Sequence, residues 1–307
     1  MNEQHGRSDE VLRAKLGLIS LDFADLDDLY TTAAERGIGW VEVFLDAVRD
    51  EADLHLVERQ RRERGIRVAS VSSLAKLSLA TDEELPDHVA LVERSITLAH
   101  RLDAPCVTFM YGSQPHLARV KARDRFLRRL EPLVDLAASH GVTILIENVF
   151  SRGSAGDLDS VEEIAALFER IDNERVGLNF DPANLTIAGA EGYPAGYRTL
   201  KPFIRSIHLK DVRPLRDDDH PLGTRRIMEA HGRGSFLVVP LGQGELDVQG
   251  LLAEIRHDAP DLVISLEPTA QGGECARWLD ASLALLADAG IVSEQSSADA
   301  LQYGAVP

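Results

Sequence analysis

Cysteine is nearly absent. The 307-residue chain has two, Cys106 and Cys275. Two cysteines do not make a disulfide framework, so a reducing compartment, the cytoplasm, is the expectation. Cys106 sits in the apolar run PCVTFMY and reads as a buried free thiol. Lysine is scarce too, found only at 15, 76, 121, 201 and 210, and the basic charge is mostly arginine. With a net charge of −17, the chain lacks the broad basic face that nucleic acid or an anionic membrane surface requires. No apolar run approaches the length of a membrane span, and the opening MNEQHGRSDE has no apolar signal region. There is no low-complexity tract. A glycine-rich phosphate turn is also missing after the first strand-like run, LGLISLDFAD. Its absence argues against a doubly wound nucleotide-binding sheet and favours a substrate without phosphate.

What is present is regular alternation. KLGLIS, WVEVFLD, IRVASVSS, PCVTFMYG, VTILIEN, VGLNFD, IRSIHLKD and LVISLEP read as strands. Between them lie helical segments: DLDDLYTTAAERG, opened by aspartate caps and closed by Gly37; then 50–65, 83–103, 119–140, SVEEIAALFERID capped by Ser160, 193–202, 248–257 and 273–289. Eight strand–helix units imply parallel pairing with right-handed crossovers, and eight that close on themselves make a (β/α)₈ TIM barrel, an α/β fold that fits one domain over residues 1–290. The stretch 213–247 reads as a long irregular insertion after the seventh strand, suited to a lid or an oligomer contact, so a homo-oligomer is compatible with the sequence. The polar tail 291–307 reads as mobile.

The last four strands share an oddity. TILIEN carries Glu147 at its end, VGLNFD ends on Asp181, IRSIHLKD carries His208, Lys210 and Asp211, and LVISLEP carries Glu267. An ionisable side chain at the end of a buried run is costly unless it is paired, hydrogen-bonded or bound to a metal. In a barrel all four ends meet at the catalytic face. The residues two positions earlier, which share the same side of each strand, are Leu145, Asn179, Ser206 and Ser265; three of the four suit a wet pocket. Two glutamates, an aspartate and a histidine form a mixed oxygen and nitrogen set that suits one Mn²⁺, Mg²⁺, Co²⁺ or Zn²⁺, with Mn²⁺ preferred; without cysteine a structural zinc site is disfavoured. Such an ion could act as a Lewis acid on a hydroxy-ketone while carboxylates move a carbon-bound proton. Lys210, two after His208, is expected to point inward and contact substrate or its enediolate. Glu42, on WVEVF, is a candidate for the pocket floor.

The segments ILIEN, FDPANL, IHLKDV, PLGQGELD and SLEPT, in this order and spacing, resemble the xylose isomerase-like TIM-barrel superfamily, the sugar phosphate isomerase/epimerase group. The resemblance runs from KLGLIS to about residue 290. It implies that Glu147, Asp181, His208 and Glu267 are metal ligands, and that Glu147 and Glu267 also match the pair exchanging the substrate proton in ketose 3-epimerases. Several branches have histidine three residues after the sixth-strand aspartate. Here that place is Asn184, in DPAN, which resembles a branch that includes 3-keto-glycoside epimerases. Asn184 is therefore a candidate sugar contact, with a helix cap as its plain alternative.

The expected function is a divalent-metal-dependent epimerase or isomerase acting on a keto sugar or 3-keto-glycoside through a metal-bound enediolate. The alternative is a lyase or dehydratase that shares the first proton abstraction and then eliminates a hydroxyl or aglycone from a keto sugar, keto-glycoside or inosose. An AP endonuclease-like phosphodiesterase is remote, since it needs more histidines and a basic surface; a non-catalytic barrel would be expected to lose ligands. The bland readings are a buried arginine partner for Glu147, a turn at Asp181–Pro182, a core histidine at 208, a surface ion pair between Lys210 and Asp211, and ordinary surface positions for His116, His220 and His231.

Overall fold

The computed structural model describes residues 12–111, 119–150, 152, 158–219, 227–270 and 272–293. Six strand–helix steps and a seventh strand run β1 (Leu12–Ile19), α1 (Leu26–Glu35), β2 (Trp40–Phe44), α2 (Glu51–Arg64), β3 (Arg67–Lys76), α3 (Leu85–Arg101), β4 (Cys106–Met110), α4 (Arg119–Ser139), β5 (Thr143–Glu147), α5 (Val161–Ile171), β6 (Val176–Phe180), α6 (Pro182–Ala188), α7 (Tyr197–Leu200) and β7 (Ile204–Leu209). After an added sheet, β8 (Asp211–Pro214), β9 (Ile227–Ala230) and β10 (Gly234–Val239), the chain returns through α8 (Val248–Asp258), β11 (Val263–Leu266), α9 (Gly272–Asp288) and β12 (Ile291–Ser293).

β1 through β7 pair in sequence order, β11 pairs β7, and β11 also pairs β1, so eight parallel strands close into a barrel. Closure removes every free strand edge within the ring. The expected (β/α)₈ architecture is what forms. Its apolar residues fill two spaces, the ring interior and the layer between ring and helices, where Tyr30, Phe126, Phe180 and Trp278 are fully buried. Local signals behave as their chemistry requires. Asp25 accepts the Asp28 backbone N–H at the start of α1, Asp50 accepts those of Ala52 and Asp53 for α2, and Ser160 accepts that of Glu163 for α5. Gly37 ends the first unit at φ 64°.

Three expectations need correction. The sixth unit does not wait until 193 for its helix. Pro182 starts α6 directly after Asp181, because proline at the first helical position gives up no needed N–H. The 193–202 region holds only the short α7 after a tight turn. The described parts of 213–247 are not irregular: β8, β10 and β9 form an antiparallel three-stranded sheet, with Val238 opposite Val212 and Phe236 opposite Met228. It packs on α6 through a small separate core of Phe150, Ala183, Ile187, Val212, Met228, Phe236 and Val238. The 291–307 tail begins as structure, since Ile291–Ser293 adds to β1 in parallel; 294–307 lie outside the described residues.

Candidate metal and proton-transfer site

The strand ends converge. One ligating atom from each of Glu147, Asp181, His208 and Glu267 lies within 4.8 Å of all the others. Ligand atoms on opposite sides of an ion at about 2.0–2.3 Å would sit at most about 4.6 Å apart, so the four atoms are gathered to within a few tenths of an ångström of a coordination shell. Glu147 closes β5, His208 is the penultimate residue of β7, and Asp181 and Glu267 directly follow β6 and β11.

Burial separates the four into two pairs. The side chains of Asp181 and His208 are 0% and 4% exposed, whereas those of Glu147 and Glu267 are 15% and 19% exposed and line a cavity of about 640 Å³. Asp181 and His208 thus form the floor, and the two glutamates present oxygens to whatever enters.

Each member is held. Asp181 Oδ1 accepts the Asn184 backbone N–H at 2.9 Å and so caps α6. Its peptide is fixed by Asn148, whose Nδ2 donates to the Asp181 carbonyl at 2.8 Å and whose Oδ1 accepts the Asp181 N–H at 2.9 Å. His208 Nε2 lies 2.9 Å from Glu42 Oε2, and the Asn179 amide lies 2.7 Å from the same nitrogen. Ser72 donates to the other Glu42 oxygen at 2.7 Å. Glu42 is therefore at the pocket floor as expected, but its oxygens are directed at His208 and Ser72, and it is 1% exposed. Lys210 points inward: Nζ donates to Asp181 Oδ2 at 2.5 Å and to Glu267 Oε2 at 2.7 Å.

The surface pair of Lys210 with Asp211 does not exist. Both are buried and face opposite ways. Asp211 accepts four backbone N–H groups, from Val212, Gly242, Gly244 and Leu246, and so fastens the PLGQGELD loop. A Cβ on Gly244 would meet Asp211 Oδ1 at 2.1 Å, which is why glycine stands there. Asn184 is not the α6 cap either, since Asp181 is. Its Nδ2 donates to Glu147 Oε1 at 3.3 Å and to the Asn148 carbonyl at 3.0 Å, and it lines the cavity. His231 lies on an exposed turn; His116 and His220 fall outside the described residues.

The electrostatics follow from gathering four carboxylates, Glu42, Glu147, Asp181 and Glu267, around His208 and Lys210. Burial opposes a charge on His208, yet Glu42 and Glu147 outweigh it and hold its pKa well above the usual imidazole value. Burial likewise opposes the Lys210 charge, and Asp181, Glu267 and Glu147 overcome it, keeping the ammonium protonated. Burial pushes the carboxyls of Asp181 and Glu267 up, whereas for Glu147 burial loses to the His208 charge and the pKa ends below the ordinary value.

A divalent ion fits this set. With Nε2 facing Glu42, His208 Nδ1 is buried with no hydrogen-bond partner, 3.4 Å from Glu147 Oε1 and 3.8 Å from Glu267 Oε2. A buried nitrogen left unpaired and aimed into three carboxylates is the arrangement a metal-ligating imidazole needs, with a carboxylate behind it fixing the ring. Three oxygens and one nitrogen without sulfur suit hard or borderline ions.

Two contributors leave no local signal. Asn148 is the last letter of ILIEN, but nothing local shows that it grips the neighbouring strand. Ser72 appears only as a polar residue within an apolar run, whereas Asn179 is marked by its alternation with Asp181. Phe150 and Met228, which wall the cavity, lay in segments without periodicity.

Among the described residues, no helix is long and apolar enough to cross a membrane. No curated protein sequence matches the chain. Solved structures match its fold throughout. The E. coli 3-keto-D-glucoside 4-epimerase YcjR superposes with a TM-score of 0.70 at 14% identity, covering 90% of this chain and 100% of that one. The IolI protein with a bound zinc atom gives 0.71 at 15%, covering 90% and 98%. The probable 3-DHS dehydratase AsbF from Bacillus anthracis gives 0.70 at 18%, covering 89% and 98%. Identities this low carry the fold alone. The family model for the xylose isomerase-like TIM barrel matches residues 30–289, most of the chain, and the chain belongs to that family.

Proposed function

We propose that this protein is a divalent-metal-dependent epimerase or isomerase that moves a proton next to the carbonyl of a keto sugar or 3-keto-glycoside. The observation that carries this reading is the arrangement of the cluster: Asp181 is sealed beneath and His208 lies at the cavity floor, while Glu147 and Glu267 reach further into the cavity from β5 and β11, three strands apart around the ring. Two carboxylates on different sides of one bound carbon are what removal from one face and return to the other require.

Glu147, Asp181, His208 and Glu267 would hold the ion, for which Mn²⁺ is our assignment. When bound, it would polarise the substrate carbonyl and stabilise the negative charge that develops on oxygen. The chain's own groups do the rest. One glutamate takes the carbon-bound proton and the other delivers one to the opposite face. Asn184 steadies Glu147 through its amide, and Lys210 holds Glu267 in place and offers a positive charge toward the developing oxyanion. Glu42 keeps the His208 ring turned so that Nδ1 faces inward. The similarity to YcjR and to AsbF brings an epimerase and a dehydratase equally to mind, and both begin with the same proton abstraction.

The test is turnover of keto sugars and 3-keto-glycosides in D₂O by Mn²⁺-loaded protein, followed by NMR and mass spectrometry. Deuterium at the carbon next to the carbonyl, with the product mass otherwise unchanged, is the expected result. Release of water or an aglycone would move the assignment to a lyase. Turnover with all carbon-bound hydrogen retained and no primary isotope effect would overturn both.

A further inference from the structure

We infer that the substrate is a keto-glycoside whose aglycone is apolar, of the size of an aryl group, rather than a free keto sugar. The inference rests on the proposed reaction for the sugar end and on a separate feature of the cavity for the other end.

A hexose has twelve non-hydrogen atoms. Even at the ~30 Å³ that a whole water molecule takes in the liquid, they would fill little more than half of the cavity's 640 Å³. Much of the remaining lining is apolar. Besides the charged groups at the ends of β5, β7 and β11, the lining carries Glu42, Lys76 and Arg152; Phe44, Leu74, Leu79, Met110, Phe150 and Met228 form its apolar part. A sugar carries a hydroxyl on nearly every carbon, and a hydroxyl pressed on such a wall loses its water without gaining a partner. An aromatic or aliphatic group there loses only water it is better without.

Leu74 is the second observation. Large hydrophobics exposed to solvent are rare among the described residues, limited to Leu74 at 51% and Val120 at 65%. Leu74 is not scattered surface, because it lines this cavity. β3, at ten residues, is twice the length of its neighbours β2 and β4, and its pairing with β4 slips after Ser72 before resuming at Lys76. The overlong strand lifts Leu74 to the mouth. On the added sheet, Met228 likewise turns toward the cavity from a position 8% exposed. Such a mouth leads an apolar group out from a sugar seated on the glutamates.

The test uses full-length protein loaded with Mn²⁺ and three probes differing only at the anomeric oxygen: the methyl, phenyl and carboxymethyl 3-keto-β-D-glucopyranosides. Calorimetric Kd values should be at least tenfold lower for the phenyl compound than for the methyl one. Leu74→Asp should pull that ratio toward one, and Leu74→Met should keep it; because Leu74 is half exposed, neither change endangers folding. Equal binding of the methyl and phenyl compounds would overturn the inference. So would a ratio unmoved by both Leu74→Asp and Met228→Ser. Tighter binding of the carboxymethyl compound would overturn it as well, assigning the wall to Lys76 and Arg152 as an anion site. Deuterium exchange on the methyl compound separates the two readings. Exchange without phenyl preference sinks the aglycone and keeps the reaction; phenyl preference without exchange sinks the reaction and keeps the apolar subsite.

Discussion

The two halves of the barrel mouth use one backbone plan for opposite chemistry. β1, β2 and β4 finish on Ile19, Phe44 and Met110, with Lys76 at the end of β3 the one charge among them, whereas β5, β6, β7 and β11 finish on or beside Glu147, Asp181, His208 and Glu267. The ring brings all eight ends to one place, so placement alone does not make a residue reactive. Charges can be buried in the second half because each was given partners: Asn148 under Asp181, Glu42 behind His208, and Lys210 between Asp181 and Glu267. The first half supplies most of the apolar wall. Wherever a bound substrate displaces water from that wall, the interactions of the charged half act at lower effective dielectric and gain strength. The division predicts that substitutions in the charged half change the rate of the chemistry, and those in the apolar half change affinity.

The largest effect should come from the two glutamates that reach into the cavity. Glu147→Gln and Glu267→Gln keep shape and remove a base, and each is expected to lower the rate of deuterium exchange by about 10²–10⁴-fold. Metal content measured beside the rate apportions the loss between ion binding and proton transfer. Phe44→Ala, in the other half, should raise KM while leaving the exchange rate at saturation within about tenfold. If Phe44→Ala cost as much at saturation as Glu147→Gln, the halves would not be functionally distinct.

Glu42 is the exception that sharpens the contrast, because it rises from β2 yet serves the charged half, meeting His208 across 166 residues of sequence. Glu42→Gln leaves the packing nearly intact but removes the charge behind the imidazole. Metal affinity should fall about 10–100-fold, the range found when an outer partner of a metal-ligating histidine is lost. Titration with Mn²⁺ reads this directly, and excess Mn²⁺ should recover most of the rate. Recovery would mark Glu42 as positioning the ligand; a rate that stays low with the ion bound would instead place Glu42 in contact with substrate.

The barrel could be read from the sequence because its strands are short apolar runs, each followed by a capped helix, and that pattern has few other solutions. The four converging residues could be read for a related reason: a charge ending a buried run conflicts with its surroundings, and four such conflicts in successive strands share one remedy. What stayed hidden depends on contacts between distant segments. Nothing in IRSIHLKD says that Lys210 turns to Asp181 while Asp211 turns to the amides of Gly242 and Gly244; neighbours in a strand simply alternate, and the partners lie 29 and more than 30 residues away. The added sheet was misread as irregular because its strands are only four to six residues long and interrupted by charge and glycine, so period-two alternation has no room to show. In DPAN both a turn at Asp181–Pro182 and a cap at Asn184 are legible, but the cap is Asp181 itself and Pro182 opens the helix, so α6 starts earlier than Asn184 would place it.

The smallest effect tests where the charged half ends. Asn184 donates to Glu147 and to the Asn148 carbonyl, and it leaves the capping of α6 to Asp181. Asn184→Ala should therefore spare the helix and cost about 1 kcal/mol, the net worth of an ordinary hydrogen bond. Glu147 would lose one donor but keep His208 and Lys210 as charged neighbours, so the exchange rate should fall by no more than about tenfold, or ~1.4 kcal/mol in barrier. Asn184→Asp is the sharper variant. It keeps the size and replaces the donor with a second carboxylate beside Glu147, where like charges oppose each other's ionisation. Its rate should drop further than that of the alanine variant, even though it is the closer match in shape. Thermal melts and exchange rates on the three proteins decide between steadying Glu147 and touching sugar. An alanine variant that matches wild type at saturating substrate but shows a large rise in KM would make Asn184 a substrate contact, and would extend the binding surface onto α6.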